Sequence, residues 1–502
     1  MKRKLHLFTS KRGIELPEFN ILNVLLYTLC FFLTAASALQ AHSSSFFMPR
    51  SVTHSALYEL AMTNYDVYHS SSCQGFSCYV TPFYIQSTNS SELGQYFLRN
   101  NDSSLDVQED GTGNIGSLWV NLIADPGLSY SSTMKIAPQR KVAGSYFYFR
   151  ADGRDLFDHT CPILQNLWMS VSFAAMKVRH NLHVSEHLTG DMAFGALPGV
   201  ATGLEAFNNS EWKYGKLSTR TKSKSGVDDI QIKVGDNWFF DDGNSHFGIY
   251  LVGTIPTGDR PNAHVLFEPL VGTRHASFGI GINDDLRLYT CPAGTIQLMC
   301  DVKCRYLFSG RERRSFDLKG NGDWSRYLLL ADSEATSVSL FGINKTTIPV
   351  KVTPGPQVEA WFALHANWCH WNVEMGYNLW WRSQDQRLHF EKELADNLGV
   401  FDLSGVVAFD PTSASRANIS QSAIPPNQAP SDAVFTSTRG FDKASGKQKS
   451  AWSNTLYGAV SFDDLLYDRF PIMIGMGGSY EFASNRNALS QWSIWQTTGI
   501  DF

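Results

Sequence analysis

Charge is scarce in this chain of 502 residues. Charged residues make up 18% of the sequence, whereas about 25% is usual for a soluble domain. The net charge of -5 is spread along the chain without a basic stripe, so the sequence gives no support to nucleic-acid binding. Aromatic residues reach 13%. Few charges combined with many aromatic rings predict surfaces that face something other than water.

Long apolar runs are absent beyond the N-terminal region. The basic residues 2–4 precede an apolar run at 21–33, and the small residues Ala36-Ser37-Ala38 follow it. This order predicts a signal peptide over residues 1–38 that is removed on export. The alternative is an uncleaved anchor helix, but the run is shorter than the roughly 20 residues that a spanning helix needs. No later segment reaches that length, so membrane residence would require strands.

Closely spaced Cys-x-x-Cys pairs are also absent. One of the eight cysteines lies within the predicted signal peptide, and export permits disulfides among the others. Cys73 and Cys78 bracket a short loop and are the predicted pair, while the odd total leaves at least one thiol unpaired. Cys300 and Cys304 lie on one strand face, roughly 13 Å apart, and cannot bond each other. Together with Cys291 they lack the spacing of a zinc site, so we predict no metal centre.

Catalytic motifs occur only in unsuitable settings. Residues His183 to His187 fit H-x-x-E-H, but no amphipathic helix surrounds them to place both histidines on zinc. Residues Ser132 to Lys135 fit S-x-x-K, yet they lie in an alternating stretch rather than at a helix start. No nucleophile elbow, P-loop or Rossmann glycine pattern is present in a strand-helix setting. The sequence therefore predicts a protein that is not an enzyme and needs no cofactor.

Long alternating segments are what the sequence does contain. The clearest are Cys369 to Arg382, Leu298 to Phe308 and Ile472 to Phe482, each with one apolar face and one largely polar face. At eleven to fourteen residues they exceed the usual soluble strand of about 5–6. They match the roughly 9–11 residues that a tilted strand needs to cross hydrocarbon.

The polar faces of these segments carry charge. Asp301, Lys303 and Arg305 project from one face of a single strand, which would be costly inside a sandwich core but tolerable in a water-filled lumen. Outward-facing charges on a soluble sheet are the alternative. Tryptophans near strand ends predict aromatic girdles, with core packing as the competing use. These tryptophans are Trp238, Trp324, Trp361, Trp368, Trp371, Trp380, Trp381, Trp492 and Trp495.

The count of candidate strands predicts the size of the barrel. The remaining candidates are Leu118 to Ala124, Leu128 to Ile136, Val142 to Arg150, Leu167 to Val178, Ile230 to Phe240, His246 to Ile255, Ala276 to Ile282, Gln357 to His365, Leu456 to Phe462 and Trp492 to Phe502. Because closed single-chain barrels use even numbers, about thirteen candidates predict 12 or 14 strands. The fold class is therefore all-β, a transmembrane antiparallel barrel with long loops.

Several segments fall outside the strand pattern. Residues 39–115 are polar and rich in serine and asparagine, and we predict an N-terminal segment that plugs or caps a barrel formed by residues 116–502. Residues 183–229 and 383–449 are long excursions, and the Pro- and Gly-containing stretch 256–272 is predicted to fold inward or brace a barrel end. The charge run from Arg311 to Arg314 is interpreted as a solvated turn at the membrane surface, with a pore constriction or a contact to anionic lipid as the alternatives.

The C-terminus gives these patterns a family likeness. Residues Trp492 to Phe502 alternate and end on an aromatic residue. With the signal peptide and the alternating strands, this resembles the outer-membrane β-barrels of Gram-negative bacteria, over residues 117–502. The resemblance implies outer-membrane lipid as surroundings and recognition of the last strand by the barrel-assembly machinery. It leaves the oligomeric state open.

These observations together predict a porin-like channel or transporter that lets small solutes pass passively. The candidate residues that line its lumen are Asp301, Lys303, Arg305, Glu374 and Arg382. A transporter of hydrophobic substrates with an N-terminal plug is a variant of this prediction. Two alternatives are a structural or adhesive surface barrel without transport and a secreted, soluble β-rich protein.

Overall fold

A computed structural model describes most of the chain. The described residues are 43–64, 75–99, 102–109, 113–125, 127–156, 166–192, 200–240, 245–332, 335–394, 398–400, 417–420, 437–466 and 470–502. The predicted signal peptide lies outside this part of the chain.

Twelve antiparallel strands form a closed barrel. In chain order they are β1 (Phe76–Ser87), β2 (Gln139–Asp152), β3 (Leu167–Asn181), β4 (Ile230–Phe240), β5 (Ser245–Ile255), β6 (Ser277–Cys291), β7 (Gly294–Leu307), β8 (Gln357–Trp368), β9 (Trp371–Arg382), β10 (Ala451–Leu466), β11 (Phe470–Ala483) and β12 (Gln491–Asp501). Each strand pairs with its neighbours in sequence, and β1 pairs with β12 to close the cylinder. The strand Lys222–Val227 continues the line of β4 along β3. The prediction of 12 or 14 strands is confirmed.

Alternation along the strands separates an apolar exterior from a polar interior. In β9, Val373 and Met375 are 50% and 68% exposed, whereas Asn372 and Glu374 are 2% and 1% exposed. Strand β12 follows the same rule, with Ile494 outward and Ser493 inward. An apolar outer surface around a polar interior is the arrangement of a membrane-spanning barrel. Among the described helices, none is both long and apolar enough to cross a membrane.

One boundary and two strand assignments from the sequence were wrong. The barrel begins at β1, upstream of the predicted boundary at residue 116, because β1 has apolar side chains on both faces and so lacks the expected alternation. Residues 117–120 form a 3₁₀ helix instead of a strand. Residues Ser131–Lys135 do form a strand, but it pairs with Leu105–Gln108 and Ser185–Leu188 outside the barrel.

The two ends of the barrel differ. At one end, strands are joined by short connections such as 292–293 and 369–370, and the backbones of Phe76 and Phe502 bond each other. We call this the short-turn end. At the other end, the connections 88–138, 182–229, 256–276, 308–356 and 383–450 are long. Their described parts pack into a compact layer, here called the cap.

The cap is built from short elements. Its strands are Leu105–Gln108, Ile115–Gly116, Ser131–Lys135, Ser185–Leu188, Gly310–Ser315, Asp317–Leu318, Leu329–Asp332, Ala335–Phe341, Thr347–Thr353, Arg387–Phe390, Leu398–Val400 and Phe441–Asp442. Its helical turns are Ser90–Phe97, Ser117–Val120, Gly203–Ala206, Ser325–Tyr327, Gly342–Thr346 and Thr438–Gly440. At the opposite end of the barrel lies the helical turn Gly153–Leu156.

Buried aromatic rings hold the cap together. Trp212 stacks on Tyr327 at 5.1 Å between ring centroids, and Phe207 meets both rings edge-on. Trp324 is fully buried and its indole N–H donates to the carbonyl of Phe97 at 2.8 Å. The prediction that Trp324 belongs to a membrane girdle was therefore wrong. A buried tryptophan whose N–H finds an acceptor suits a protein core as well as a membrane interface. Trp368 and Trp371 are exposed on the barrel exterior, as a girdle requires.

Candidate functional site

Residues 43–64 run through the interior of the barrel, and we call this segment the plug. Its first residues are fixed in the cap, where the amide of Ser43 donates to Asp323 at 2.8 Å and that of Met48 to Gln448 at 2.8 Å. The segment then enters the lumen, where Ala56–Leu60 form one helical turn with all five residues buried. The predicted plug or cap within residues 39–115 thus has a counterpart in the structure.

Glu359 on β8 is the most connected contact between wall and plug. It forms a short ion pair with Arg50 and accepts a hydrogen bond from the amide of Ala56 at 2.8 Å. On the wall, Lys303 lies 3.0 Å away and Asn378 donates to it at 2.9 Å. Both Arg50 and Glu359 are nearly inaccessible to solvent. Because a buried charge without a partner is costly, this carboxylate fixes the position of the plug.

Glu59 is the reciprocal contact, an acid on the plug held by cations on the wall. Its carboxylate lies 2.8 Å from the Nζ of Lys233 on β4 and 3.7 Å from that of Lys303 on β7. Gln231 donates to it at 3.1 Å. Lys303 therefore lies between an acid of the plug and an acid of the wall. The plug is bound by charges of both signs, which ties its register to the wall.

Where the strand line of β4 is interrupted, Asp228 holds the plug and Asp229 holds the neighbouring connection 256–276. Asp228 accepts hydrogen bonds from the hydroxyl of Ser51 and the amide of Thr53 at 2.9 and 3.0 Å. Asp229 accepts from the amide and hydroxyl of Thr273, both at 2.7 Å. Gly272 has φ +73°, and a Cβ there would approach Asp228 to 2.8 Å, so the turn needs glycine. The stretch 256–272 braces the barrel end, as the sequence predicts.

Apolar side chains complete the fit between plug and wall. The ring of Tyr58 lies 5.1 Å from Phe83 of β1 and 5.9 Å from Trp495 of β12. Leu57 and Met62 belong to the same buried cluster. Further along the plug, the amide of Met62 donates to Glu374 at 3.1 Å. Both polar and apolar contacts thus extend from one end of the plug to the other.

The predicted lumen-lining residues all face the interior. Asp301 accepts the hydroxyl of Tyr250 at 2.8 Å, and Arg305 donates to Gln231 at 2.6 Å. Glu374 contacts His365, Tyr457 and the plug. Lys303 contacts the plug directly, while Arg382 lies at the cap end and pairs with Asp385 at 2.7 Å. Each is at most 4% exposed, because the plug and its partners fill the space around them.

Two cavities adjoin the plug in the described structure. One of about 10 Å³ lies among Glu59, Asn64, Lys233 and Asp301. The other, of about 30 Å³, lies between plug residues 50–58 and the wall near Glu481. A site for one water needs about 10–15 Å³. Cavities of this size have room for a water molecule or so and not for a larger solute.

A chain of buried ion pairs joins the barrel to the cap, and we call it the rim network. Arg382 at the end of β9 and Arg314 in the cap both bind Asp385, at 2.7 and 2.5 Å. Arg314 also binds Glu312 at 2.7 Å, and Glu312 contacts His275 at 2.7 Å. The guanidinium of Arg314 lies 3.6 Å from the ring centroid of Phe46, just before the plug enters the lumen. The interpretation of residues 311–314 as a solvated turn was therefore wrong for Glu312 and Arg314, which are buried in strand Gly310–Ser315.

The rim network predicts an acid limit for the cap. Burial raises the pKa of Glu312, but the charges of Arg314 and His275 outweigh it and lower that pKa from 4.5 to about 2. Because the folded pKa lies below the unfolded one, this carboxylate contributes stability above pH 4.5, and the contribution is lost as the pH falls from 4.5 through 2. The difference corresponds to about 3 kcal/mol. We expect pepsin to cleave the cap increasingly over that range, and Glu312→Gln to weaken the dependence. Equal pH profiles for both proteins would contradict this assignment.

The motifs considered for catalysis lie in strands and turns rather than in the helices that their chemistry requires. His183 has a positive φ, and Ser185–Leu188 is a strand, so the H-x-x-E-H histidines do not share a helix. Glu186 accepts hydrogen bonds from Tyr130 and from the amides of Gly203 and Leu204. Ser132 lies within a strand rather than at a helix start.

The described cysteines carry free thiols. Cys300 and Cys304 lie on the outward face of β7, unbonded, as their spacing predicts. Cys78 is also free, against the prediction of a bond to Cys73, which lies outside the described residues. Cys78 lies in β1, and its side chain is directed outward from the barrel.

Comparison with solved structures returns outer-membrane barrels. An outer membrane channel from Pseudomonas putida F1 is 9% identical, with a TM-score of 0.37, covering 85% of this chain and 95% of that one. A FadL homologue from Pseudomonas aeruginosa is 8% identical, with a TM-score of 0.25 and coverage of 85% and 88%. A mutant of the TodX monoaromatic hydrocarbon channel is 10% identical, with a TM-score of 0.30 and coverage of 94% and 98%. No protein-family model and no curated protein matches the sequence. At these scores, no residue role is taken from any of the three structures.

Proposed function

We propose that this protein is an outer-membrane transporter whose lumen admits small solutes when the plug moves. The observation that carries the proposal is the pairing of plug charges with wall charges, Arg50 with Glu359 and Glu59 with Lys233 and Lys303. These ion pairs hold the plug against a wall whose inward side chains are polar and could be hydrated in its absence. Export by the signal peptide and assembly through the last strand are parts of the same proposal.

The number of strands supports a lumen that needs a plug. A barrel of about eight strands is filled by its own side chains, and diameter grows with strand number. Twelve strands leave room that the wall does not fill, and here residues 43–64 occupy it. If the plug left, the inward residues Asp301, Lys303, Arg305, Glu374 and Arg382 would line a hydrated passage. Their mixed charges favour small polar solutes over either sign of ion alone.

Deletion of residues 43–64 tests the proposal. We expect the full chain in planar bilayers to be closed most of the time and the deletion variant to conduct in steady steps, because its polar lumen fills with water. Heat-modifiable gel mobility checks that the barrel still folds. If the deletion does not fold, the variant R50Q/E59Q replaces it, since it removes the charges of the plug while keeping the chain. If no folded variant increased the conductance of the bilayer, the proposal would be contradicted.

A surface barrel without transport is the second candidate. The compact cap favours it, because a folded outer layer is a suitable platform for adhesion. The same bilayer experiment separates the two candidates. A folded deletion variant that conducts supports transport, whereas one that passes no ions leaves the cap as the working part of the molecule.

A further inference from the structure

The exterior of the barrel carries a cluster of cations where β2 and β3 approach the cap. Lys141 on β2 lies directly opposite Arg179 on β3, and Lys177 lies two residues from Arg179 along the same strand. Directly opposed residues on paired strands have Cβ atoms about 4.5–5.5 Å apart, and neighbours on one face of a strand are separated by about 6.6 Å. Lys177 and Arg179 are exposed and Lys141 is half-exposed. The three cations therefore share one small patch of the outer surface.

No acid of the described residues pairs with this cluster. The residues opposite Lys141 and Arg179 on their other sides are Gln86 and Ser223, and those opposite Lys177 are Ala143 and Ser225. The ion pairs found among the described residues all involve other cations. Like charges placed directly opposite each other destabilise a sheet. An anion shared between them would offset that repulsion.

The shape of the patch suits an oxyanion. Ser223 and Ser225 are exposed and occupy the same outward rows as Arg179 and Lys177. Their hydroxyls add neutral donors beside the three cations. Ala143 completes the second row with a small side chain, which leaves space above the sheet. Several cations and hydroxyls around an open space are the donor set that phosphate oxygens need.

The position of the patch indicates a lipid as the source of the phosphate. Towards the short-turn end, the same outward faces carry Phe147 stacked on Phe173 at 5.1 Å between ring centroids. Beside the patch, Tyr84 packs against Trp492 at 5.4 Å, the kind of aromatic pair found where hydrocarbon meets headgroups. The cations thus lie at headgroup level above an acyl-facing surface.

We propose that Lys141, Lys177 and Arg179 form a binding site for the phosphate of an anionic membrane lipid. The lipid's acyl chains would lie along the rings of Phe147 and Phe173, while its phosphate bridges the opposed cations. This site does not depend on transport through the lumen. It requires only that the cap end of the barrel lies at a leaflet that contains phosphorylated lipids.

Binding of lipid A, a glycolipid with two phosphomonoesters, tests the site. The full protein in neutral detergent is titrated with lipid A and bound lipid is counted by native mass spectrometry. Each cation near a charged lipid surface contributes about 1 kcal/mol, or about fivefold in affinity. We therefore expect K141A/K177A/R179A to bind about a hundredfold more weakly and K141R/K177R to bind like the original chain.

Two controls make the result decisive. The variant K135A/K213A/K351A removes three exposed lysines of the cap and should retain lipid binding, and heat-modifiable mobility should show that all variants are folded. Inorganic phosphate at the same concentration should not displace lipid A. Undiminished binding by K141A/K177A/R179A, equal loss in the cap variant, or full displacement by free phosphate would each overturn the proposal.

Discussion

Replacing Glu359 with glutamine is expected to release the plug and to produce the largest change in conductance of any single substitution. The change removes the charge that Arg50 and Lys303 share and weakens the bond to the amide of Ala56. Removing one partner of a buried ion pair costs about 3–5 kcal/mol. We therefore expect E359Q to open in planar bilayers and to unfold at lower urea concentration in vesicles.

The matched control for E359Q is Glu211→Gln, which makes the same chemical change at an exposed position of the cap. It should leave both conductance and stability unchanged, because exposed charges contribute little. The pair R50M/E359M extends the test, since two residues in direct contact should show a coupling of about 0.5–3 kcal/mol in a double-mutant cycle. An E359Q protein that stays closed and as stable as E211Q would show that this contact does not hold the plug.

Replacing Arg314 with alanine is expected to loosen the cap. Arg314 is 1% exposed and binds Glu312, Asp385 and the carbonyl of Gly446. Its loss would leave two buried carboxylates without their shared cation, at a cost of about 3–5 kcal/mol. We expect faster hydrogen exchange in the cap strands of R314A and little change in the barrel strands away from the rim.

Arg311→Ala provides the comparison for R314A from the same strand. The side chain of Arg311 is 72% exposed, and its ion pair with Glu391 lies at the surface. Such a pair contributes about 0–1 kcal/mol, so R311A should exchange like the original protein. If hydrogen exchange in the cap strands were equally slow in R311A and R314A, the rim network would have no role in holding the cap.

The sequence predicts the strands whose two faces differ in polarity. For β9 the sequence predicts a strand from Cys369 to Arg382, and the structure has it at Trp371–Arg382. The prediction succeeds because Val373 and Met375 face outward while Asn372 and Glu374 face the lumen. Strand β1 is missed for the opposite reason. Its inward side chains include Tyr79, Phe83 and Ile85, which belong to the same buried cluster as plug residues and remove the contrast between faces. Tertiary contact with the plug therefore overrides the period of two.

The site itself is only partly accessible to sequence reasoning. The sequence predicts Lys303 and Glu374 as lumen-lining residues because they are charged residues on the polar faces of long alternating strands. Lys233 and Glu359 occupy equivalent inward positions and follow the same rule, so they could have been included. Arg50 and Glu59 could not, since nothing in the local sequence around a five-residue helical turn specifies which distant strand each will meet. Those pairings depend on closure of the barrel.

The seam between β1 and β12 also constrains how the molecule is made. The hydroxyl of Tyr79 meets Asp501 across 422 positions of the chain, so the cylinder cannot close until synthesis has reached Asp501. Residues 43–64 emerge early, yet Arg50 and Glu59 acquire their counter-charges only when the enclosure exists. Contacts so distant in sequence make folding slow. Until then, residues 43–64 need an aqueous or chaperoned environment, and their enclosure coincides with closure of the barrel.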